Sequence, residues 1–211
     1  KILREQKRTG FWLLDASTLA TVAGPLFSMI FFKAELRAEI GLWPVFGMTA
    51  WMLMFMNLRL GTARELAYPY LYLAPAGGLG KLICILLPQV FKAAVDGVVY
   101  AAFIMLLLQA SATEGIIAWL FYTSISALYA AAMPLVERIL GSSRNKVLTM
   151  VVYIFMLLIL FLPGLIGAII FGGASASPYL AYLLCAAWNI GVSLLMVLAG
   201  KGILKGMELS N

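Results

Sequence analysis

Residues 147–171 read VLTMVVYIFMLLILFLPGLIGAIIF, an uncharged apolar run that decides the fold. A helix needs about 20 apolar residues to cross a hydrocarbon core of about 30 Å, and this run is long enough. Because lipid-facing N–H and C=O groups must bond within their own segment, such a run predicts a helix. Similar runs recur along the chain, so the sequence predicts an all-α, polytopic membrane protein with six transmembrane helices. The six blocks are Phe11–Phe32, Leu42–Leu58, Ala93–Ala110, Gly115–Val136, Val147–Phe171 and Tyr179–Leu198.

Basic residues alternate between the segments that separate these blocks. Lys and Arg are frequent in the N-terminal segment, in the segments after the second and fourth blocks and in the C-terminal tail, whereas residues 109–114 and 172–178 have none. The positive-inside rule therefore predicts that both termini are cytoplasmic. The formal net charge of +6 indicates membrane topology and contact with the lipid bilayer, and no nucleic-acid partner is expected.

Composition limits the chemistry that this chain can perform. It is 64% hydrophobic and 11% charged, so residues 1–211 are predicted to be a single transmembrane domain. The absence of histidine excludes His-based general-base catalysis, most zinc sites and the Ser-His-Asp triad. Cys84 and Cys185 are expected to be free thiols. Asp15 and Asp96 are far apart and form no paired-carboxylate motif, so we predict no catalytic residues and no metal site.

The N-terminal residues 1–15 are basic and then aromatic, which predicts an amphipathic helix lying on the inner leaflet. Asp15, followed by Ser17 and Thr18, resembles an N-cap, so the first span should run from about Ala16 to Phe32. Gly24-Pro25 in its middle predicts a kink.

Residues 61–90 are too long and too apolar for a simple loop. Three tyrosines and two prolines are followed by a glycine-rich break, a short helix over Leu82–Leu87 that Pro88 ends or bends, and a new helix near Gln89. A short helix at the cytoplasmic face suits the docking of a soluble partner, whereas the alternative is a packing element without a partner. The predicted docking residues are Tyr70, Tyr72, Gly78, Leu79, Lys81, Leu82 and Leu86.

Polar and flexible side chains within the spans are candidates for a translocation path or gate. Lys92 and Asp96 are spaced i, i+4, so they share a helix face, and either they pair or Asp96 contacts substrate. Met52 and Met56 either pack or line a permissive apolar path. Asn189 either hydrogen-bonds across helices or lies on the path.

Proline marks three predicted hinges, at Pro25, Pro88 and Pro163. Leu162-Pro163-Gly164 predicts a break in the fifth span. The uncharged, glycine-rich residues that follow predict a re-entrant outer segment between the fifth and sixth spans.

This layout resembles the membrane subunit of a type-2 ABC transporter, which has an amphipathic helix, six spans, a coupling helix between the second and third spans, and a re-entrant outer segment. Lys1–Trp12, Tyr68–Pro88 and Pro163–Pro178 fall at the three special places. In addition, RTGFWLLDASTL (Arg8–Leu19) and ELAYPYLYLAPAGGLGKL (Glu65–Leu82) are similar to stretches of the bacterial putative ABC exporter family.

The resemblance implies a permease subunit of an ATP-driven exporter in the bacterial plasma membrane. ATP and Mg²⁺ would belong to a separate ATP-binding subunit, because the only approach to a phosphate-binding loop, at Gly80-Lys81, has Pro75 and Leu82 where glycine and Ser or Thr are needed. The other expected partner is a second membrane half or a second copy of the chain. Family members are much longer, and the chain begins with lysine, so it is either processed or one half of a longer polypeptide.

The main alternative is a non-transporting polytopic membrane protein, such as an immunity or sensory subunit. It would need no ATPase partner, and residues 68–88 would only pack. A membrane-embedded enzyme would need converging acids, histidines or metals. A secondary transporter would show internal repeats, which we do not find.

Overall fold

The computed structural model describes residues 16–31, 41–60, 77–140, 146–174 and 178–208, and within these ranges all regular structure is helical. The amphipathic N-terminal segment and residues 61–76 lie outside the described residues. The helices are α1 (Ala16–Phe31), α2 (Trp43–Leu60), α3 (Gly78–Leu108), α4 (Ala112–Leu140), α5 (Lys146–Ala174) and α6 (Pro178–Glu208).

The helices follow the predicted blocks closely, except at the start of the third. The described part of α1 runs from Ala16 to Phe31, and the N-cap predicted at Asp15 lies outside the described residues. Pro44 lies in the first turn of α2, where proline is tolerated. Among the described residues, four helical segments are long and apolar enough to cross a membrane: Gly78–Leu108, Ala112–Val136, Val147–Phe171 and Tyr179–Gly200. Neither α1 nor α2 is among these four segments, so for these two helices the predicted spans rest on the sequence alone.

α3 differs from the prediction at residues 78–90. The expected short helix over Leu82–Leu87, separated at Pro88 from a new helix near Gln89, is wrong, because one helix of 31 residues runs from Gly78 through Pro88 to Leu108. Proline removes one backbone donor, but packing on neighbouring helices can retain the helix on both sides. Leu82, Ile85 and Leu86 supply that packing against Ala130 of α4.

α5 is also continuous where the sequence predicts a break. It passes through Pro163 and Gly164 and ends at Ala174, so the re-entrant segment predicted from Pro163 is wrong as far as Ala174, and residues 175–177 lie outside the described residues. Trp188 of α6 accounts for the glycine: its ring lies where a Cβ at Gly164 would be, and its Nε1 donates to the Leu160 carbonyl at 2.9 Å. Gly164 therefore makes room for the ring of Trp188.

α4 is the central helix and α5 lies at the periphery. α4 packs against α2, α3, α5 and α6, and 72% of its 18-residue apolar stretch is buried. In α5 the corresponding share is 17%, although this is the most apolar of the four spans. An apolar helix that is largely exposed is expected where the surroundings are lipid.

Tight contacts join the helices at the end of the bundle where α3 gives way to α4. Residues 109–111 make the connection: Gln109 adopts a left-handed conformation at φ 50°, and Ser111 and Glu114 form a reciprocal capping box at the start of α4. Near this end of α4, Phe46 of α2 stacks on Phe121 with 4.2 Å between ring centroids.

Candidate functional site

Three polar side chains meet in the interior where α1 crosses α3. Lys92 and Asp96 lie one turn apart on α3, and Thr18 comes from the first turn of α1. Lys92 Nζ donates to Asp96 Oδ1 and to Thr18 Oγ1, each at 2.6 Å, and Thr18 Oγ1 donates to Asp96 Oδ1 at 2.7 Å. All three residues are less than 9% exposed. The predicted i, i+4 pairing is confirmed, and a third member is added that the spacing did not predict.

The geometry makes this cluster a closed, charge-compensated unit. Two opposite charges away from water are tolerated when they are paired and hydrogen-bonded, and removing one leaves the other buried and uncompensated. Because the pair sits on one helix and its hydroxyl partner on another, the cluster also ties α1 to α3. Any relative movement of these two helices must break short hydrogen bonds.

The same turn of α3 is also joined to α4. Trp119 Nε1 donates to the carbonyl of Ala94 at 2.9 Å. Gly97 permits this approach, since a Cβ there would lie 2.9 Å from Trp119 Cδ1 and 3.1 Å from Thr123 Oγ1.

One turn further on, Tyr100 joins α3 to α2. Thr49 Oγ1 lies 2.9 Å from the Tyr100 hydroxyl and donates its single hydrogen to the Val45 carbonyl at 2.8 Å, so Tyr100 is the donor in the pair. Gly24 of α1 packs against the same threonine, because a Cβ at that glycine would lie 2.6 Å from Thr49 Oγ1. Between Lys92 and Tyr100, α3 is therefore joined to α1, α2 and α4 by polar contacts on more than one of its faces.

Asn189 of α6 is a buried polar residue that, unlike those of α3, lacks side-chain hydrogen bonds in the described ranges. It is fully buried, and within the described ranges neither Oδ1 nor Nδ2 has a hydrogen-bond partner. Ser193, one turn away, donates its hydroxyl to the Asn189 backbone carbonyl at 2.6 Å and so does not serve the side chain. The predicted cross-helix hydrogen bond of Asn189 is therefore wrong for this arrangement, and no described contact joins this residue to the Lys92–Asp96 cluster.

The predicted docking residues divide into buried and accessible positions. Lys81, Leu82 and Leu86 are buried within the chain, which removes them from any docking surface in this arrangement. Gly78 and Leu79 are partly exposed at the first turn of α3, and Ile83 and Leu87, which the sequence did not single out, are 42% and 63% exposed. Tyr70 and Tyr72 lie outside the described residues.

The remaining candidates are spread over the bundle. Met52 is half-buried on α2, and the side chain of Met56 lies outside the described residues. The three predicted hinge prolines all lie inside continuous helices: Pro25 is buried in α1, Pro88 is half-buried in α3, and Pro163 is exposed on α5. In the described part of the chain no three His, Cys, Asp or Glu side chains are placed to hold a metal ion.

Sequence reasoning missed three residues that carry a hydroxyl group and one glycine. Thr49, Tyr100, Gly97 and Ser126 each sit in an apolar helix, where a polar or very small residue signals a helix contact. That signal was present in the sequence, but the partner of each residue depends on which helices are neighbours.

The comparison with known families agrees with this architecture. The chain matches the family described as putative ABC exporter over residues 1–208. No curated protein and no solved structure matches it. With four helices apolar enough to cross a membrane and a match over nearly its whole length, this is a transporter-like membrane protein, and the chain belongs to the putative ABC exporter family.

Proposed function

We propose that the chain is the membrane-spanning permease subunit of an ATP-driven exporter. Its membership of the putative ABC exporter family over residues 1–208 carries this proposal, and its apolar helices support it. The chain itself is not an enzyme. ATP hydrolysis, with its Mg²⁺, takes place on a separate ATP-binding subunit, and the complex lies in a bacterial plasma membrane with both termini of this chain in the cytoplasm.

The first turns of α3 receive the movement of that subunit. α3 is one helix from Gly78 to Leu108, so a displacement at Gly78 is carried along a continuous rod to Asp96, about 27 Å away at 1.5 Å per residue. The polar cluster with Thr18 lies at this point, so α1 responds to the same movement. An exporter needs two arrangements that nucleotide binding can shift, and α3 links the proposed docking end to the interior.

The docking surface includes the exposed residues at this end of α3, and Tyr70 and Tyr72 remain candidates from the sequence. Ile83 and Leu87 are one turn apart on the same exposed face, whereas Leu82 and Leu86 face the bundle. A translocation path forms between this chain and a second membrane half or a second copy, with Met52 and Met56 as its candidate lining residues. Asp96 would line the path only in an arrangement that opens its cluster with Lys92 and Thr18.

Co-purification in mild detergent tests the proposal. The unmodified chain should bring along a stoichiometric protein that binds ATP. The double variant Ile83→Lys and Leu87→Lys should lose that protein at least tenfold, because a charge in an apolar contact is costly. Leu106→Lys is the control, since it adds one positive charge at the other end of α3, on a residue that is 77% exposed. It is compared with each of the two single variants, Ile83→Lys and Leu87→Lys, as well as with the double variant.

Loss of the ATP-binding protein with Leu106→Lys as well would show a general defect and argue against this docking surface. A clean preparation of the unmodified chain with no ATP-binding protein would overturn the permease proposal. It would favour a non-transporting membrane protein instead.

A further inference from the structure

The unsatisfied polar groups of this bundle are concentrated in one place. Three buried side-chain polar atoms lack a hydrogen-bond partner in the described ranges, and they belong to just two residues: Ser126 Oγ on α4, and Nδ2 and Oδ1 of Asn189 on α6. Buried polar groups are nearly always paired, so each such exception calls for an explanation.

The two residues lie on neighbouring helices that run in the same direction. α4 and α6 share an extensive interface. At one level Phe46 contacts both Phe121 of α4 and Tyr182 of α6, and at another Ala130 of α4 and Val197 of α6 pack on the same cluster. The two helices therefore run parallel.

Depth along the two helices can be compared from the first of these levels. Ser126 follows Phe121 by five residues, or about 7.5 Å, and Asn189 follows Tyr182 by seven, or about 10.5 Å. From this level the two depths differ by about 3 Å, and from the Ala130–Val197 level, which is four and eight residues away, they differ by about 6 Å. The two residues therefore lie within about one helical turn of each other along the interface.

Their chemistry is complementary. A serine hydroxyl can donate to Asn189 Oδ1 or accept from Nδ2, so a single pair would satisfy the hydroxyl and half of the carboxamide. The other polar side chains nearby are already engaged, since Ser193 bonds to the Asn189 carbonyl and Ser124 bonds to the Phe121 carbonyl.

We propose that Ser126 and Asn189 hydrogen-bond to each other in a second arrangement of the α4–α6 interface, and that the present arrangement is the one in which this pair is broken. The inference rests on the proposed function only in that an exporter alternates between two arrangements. Asn189 is then a positioning residue that favours the second arrangement, because leaving it unpaired disfavours the first.

The test uses the full purified chain in detergent, with Cys84→Ala so that Cys185 is the single thiol. Cys185 is fully buried one turn before Asn189, so its labelling by N-ethylmaleimide reports opening of this interface. Asn189→Leu and Ser126→Ala should each slow labelling about tenfold, and the double variant should be no slower than either one, because all remove the same bond. Ser124→Ala is the matched control and should leave the rate unchanged.

Thermal unfolding supplies the second measurement. Asn189→Leu should raise the midpoint by about 2–4 °C, because it replaces an unpaired buried amide by an apolar group of similar size. A lower midpoint would mean that Asn189 is already hydrogen-bonded in the present arrangement, and this would overturn the proposal. Unchanged labelling in Asn189→Leu, or a thiol that reacts in no variant, would also overturn it.

Neither measurement needs an ATPase, so this inference and the proposed function fail separately. Adding the ATP-binding subunit with nucleotide should change the labelling rate only if the permease proposal holds.

Discussion

Polar side chains are buried inside both α3 and α6, but they differ in their hydrogen bonding. On α3, Lys92 and Asp96 are paired with each other and with Thr18 at 2.6–2.7 Å. On α6, Asn189 is fully buried with both side-chain atoms unpaired in the part of the chain that the structure describes. The difference indicates that the α3 cluster holds this arrangement together, while α6 is suited to change it.

Each variant below tests whether the contacts of α3 with its neighbours stabilise the bundle. The variants are given in order of their expected effect on the free energy of unfolding, from the largest to the smallest. Each should destabilise the chain, whereas Asn189→Leu should stabilise it.

Asp96→Ala should have the largest effect. It leaves the Lys92 ammonium buried without its counter-charge, which should lower the free energy of unfolding by about 3–5 kcal/mol. Denaturant unfolding in detergent measures the loss.

The control for Asp96→Ala is Lys92→Met combined with Asp96→Leu, which removes both charges and should recover most of the stability. If the double variant is as damaged as the single one, the pair is not compensating a buried charge, and the contrast with Asn189 loses its basis.

Gly97→Ala should have an intermediate effect. The new Cβ would lie 2.9 Å from Trp119 Cδ1, so the indole must shift and weaken its bond to the Ala94 carbonyl, at a cost of about 1–3 kcal/mol. Gly167→Ala on α5 is the matched control, because nothing lies within 4 Å of a Cβ there. The control should be neutral or stabilising by up to about 1 kcal/mol. Equal effects at the two glycines would argue against a tight α3–α4 contact.

Tyr100→Phe should have the smallest effect of the three. It deletes one hydroxyl that donates to Thr49, worth about 1 kcal/mol, with the ring still in place. Combining it with Thr49→Val should add little further loss, because both variants break the same bond. Fully additive losses would mean that the two hydroxyls are not coupled and that α2 is held to α3 by packing alone.

Much of the helical framework was predictable because it depends on local properties. The uncharged run at 147–171 needs no tertiary information to become a helix, and the i, i+4 spacing of Lys92 and Asp96 puts both on one face wherever α3 packs. The predicted breaks at Pro88 and Pro163 failed for a non-local reason. Leu82 and Leu86 pack on α4, and Trp188 packs on the backbone at Gly164, so neighbouring helices support segments that isolated proline rules would interrupt.

The candidate site was predictable only in part. Asp96 was singled out because an ionisable residue within a span is costly, which is a property of the residue itself. Asn189 was noticed because an amide within a span is expected to hydrogen-bond across helices, but within the described residues its side chain has no such bond. Thr18 was read as part of a helix cap, whereas it also reaches Lys92 across 74 positions of sequence.

By itself, the sequence determined that the chain forms long apolar helices, which residues share a helix face, and to which family the chain belongs, because these follow from local composition, periodicity and sequence similarity. Only the tertiary structure decided that Thr18 completes the Lys92–Asp96 cluster, that α4 is central and α5 peripheral, and that Asn189 and Ser126 are left unpaired. The physical reason is that a hydrogen bond needs its two groups within about 3 Å, and for residues on different helices that distance depends on how the helices pack.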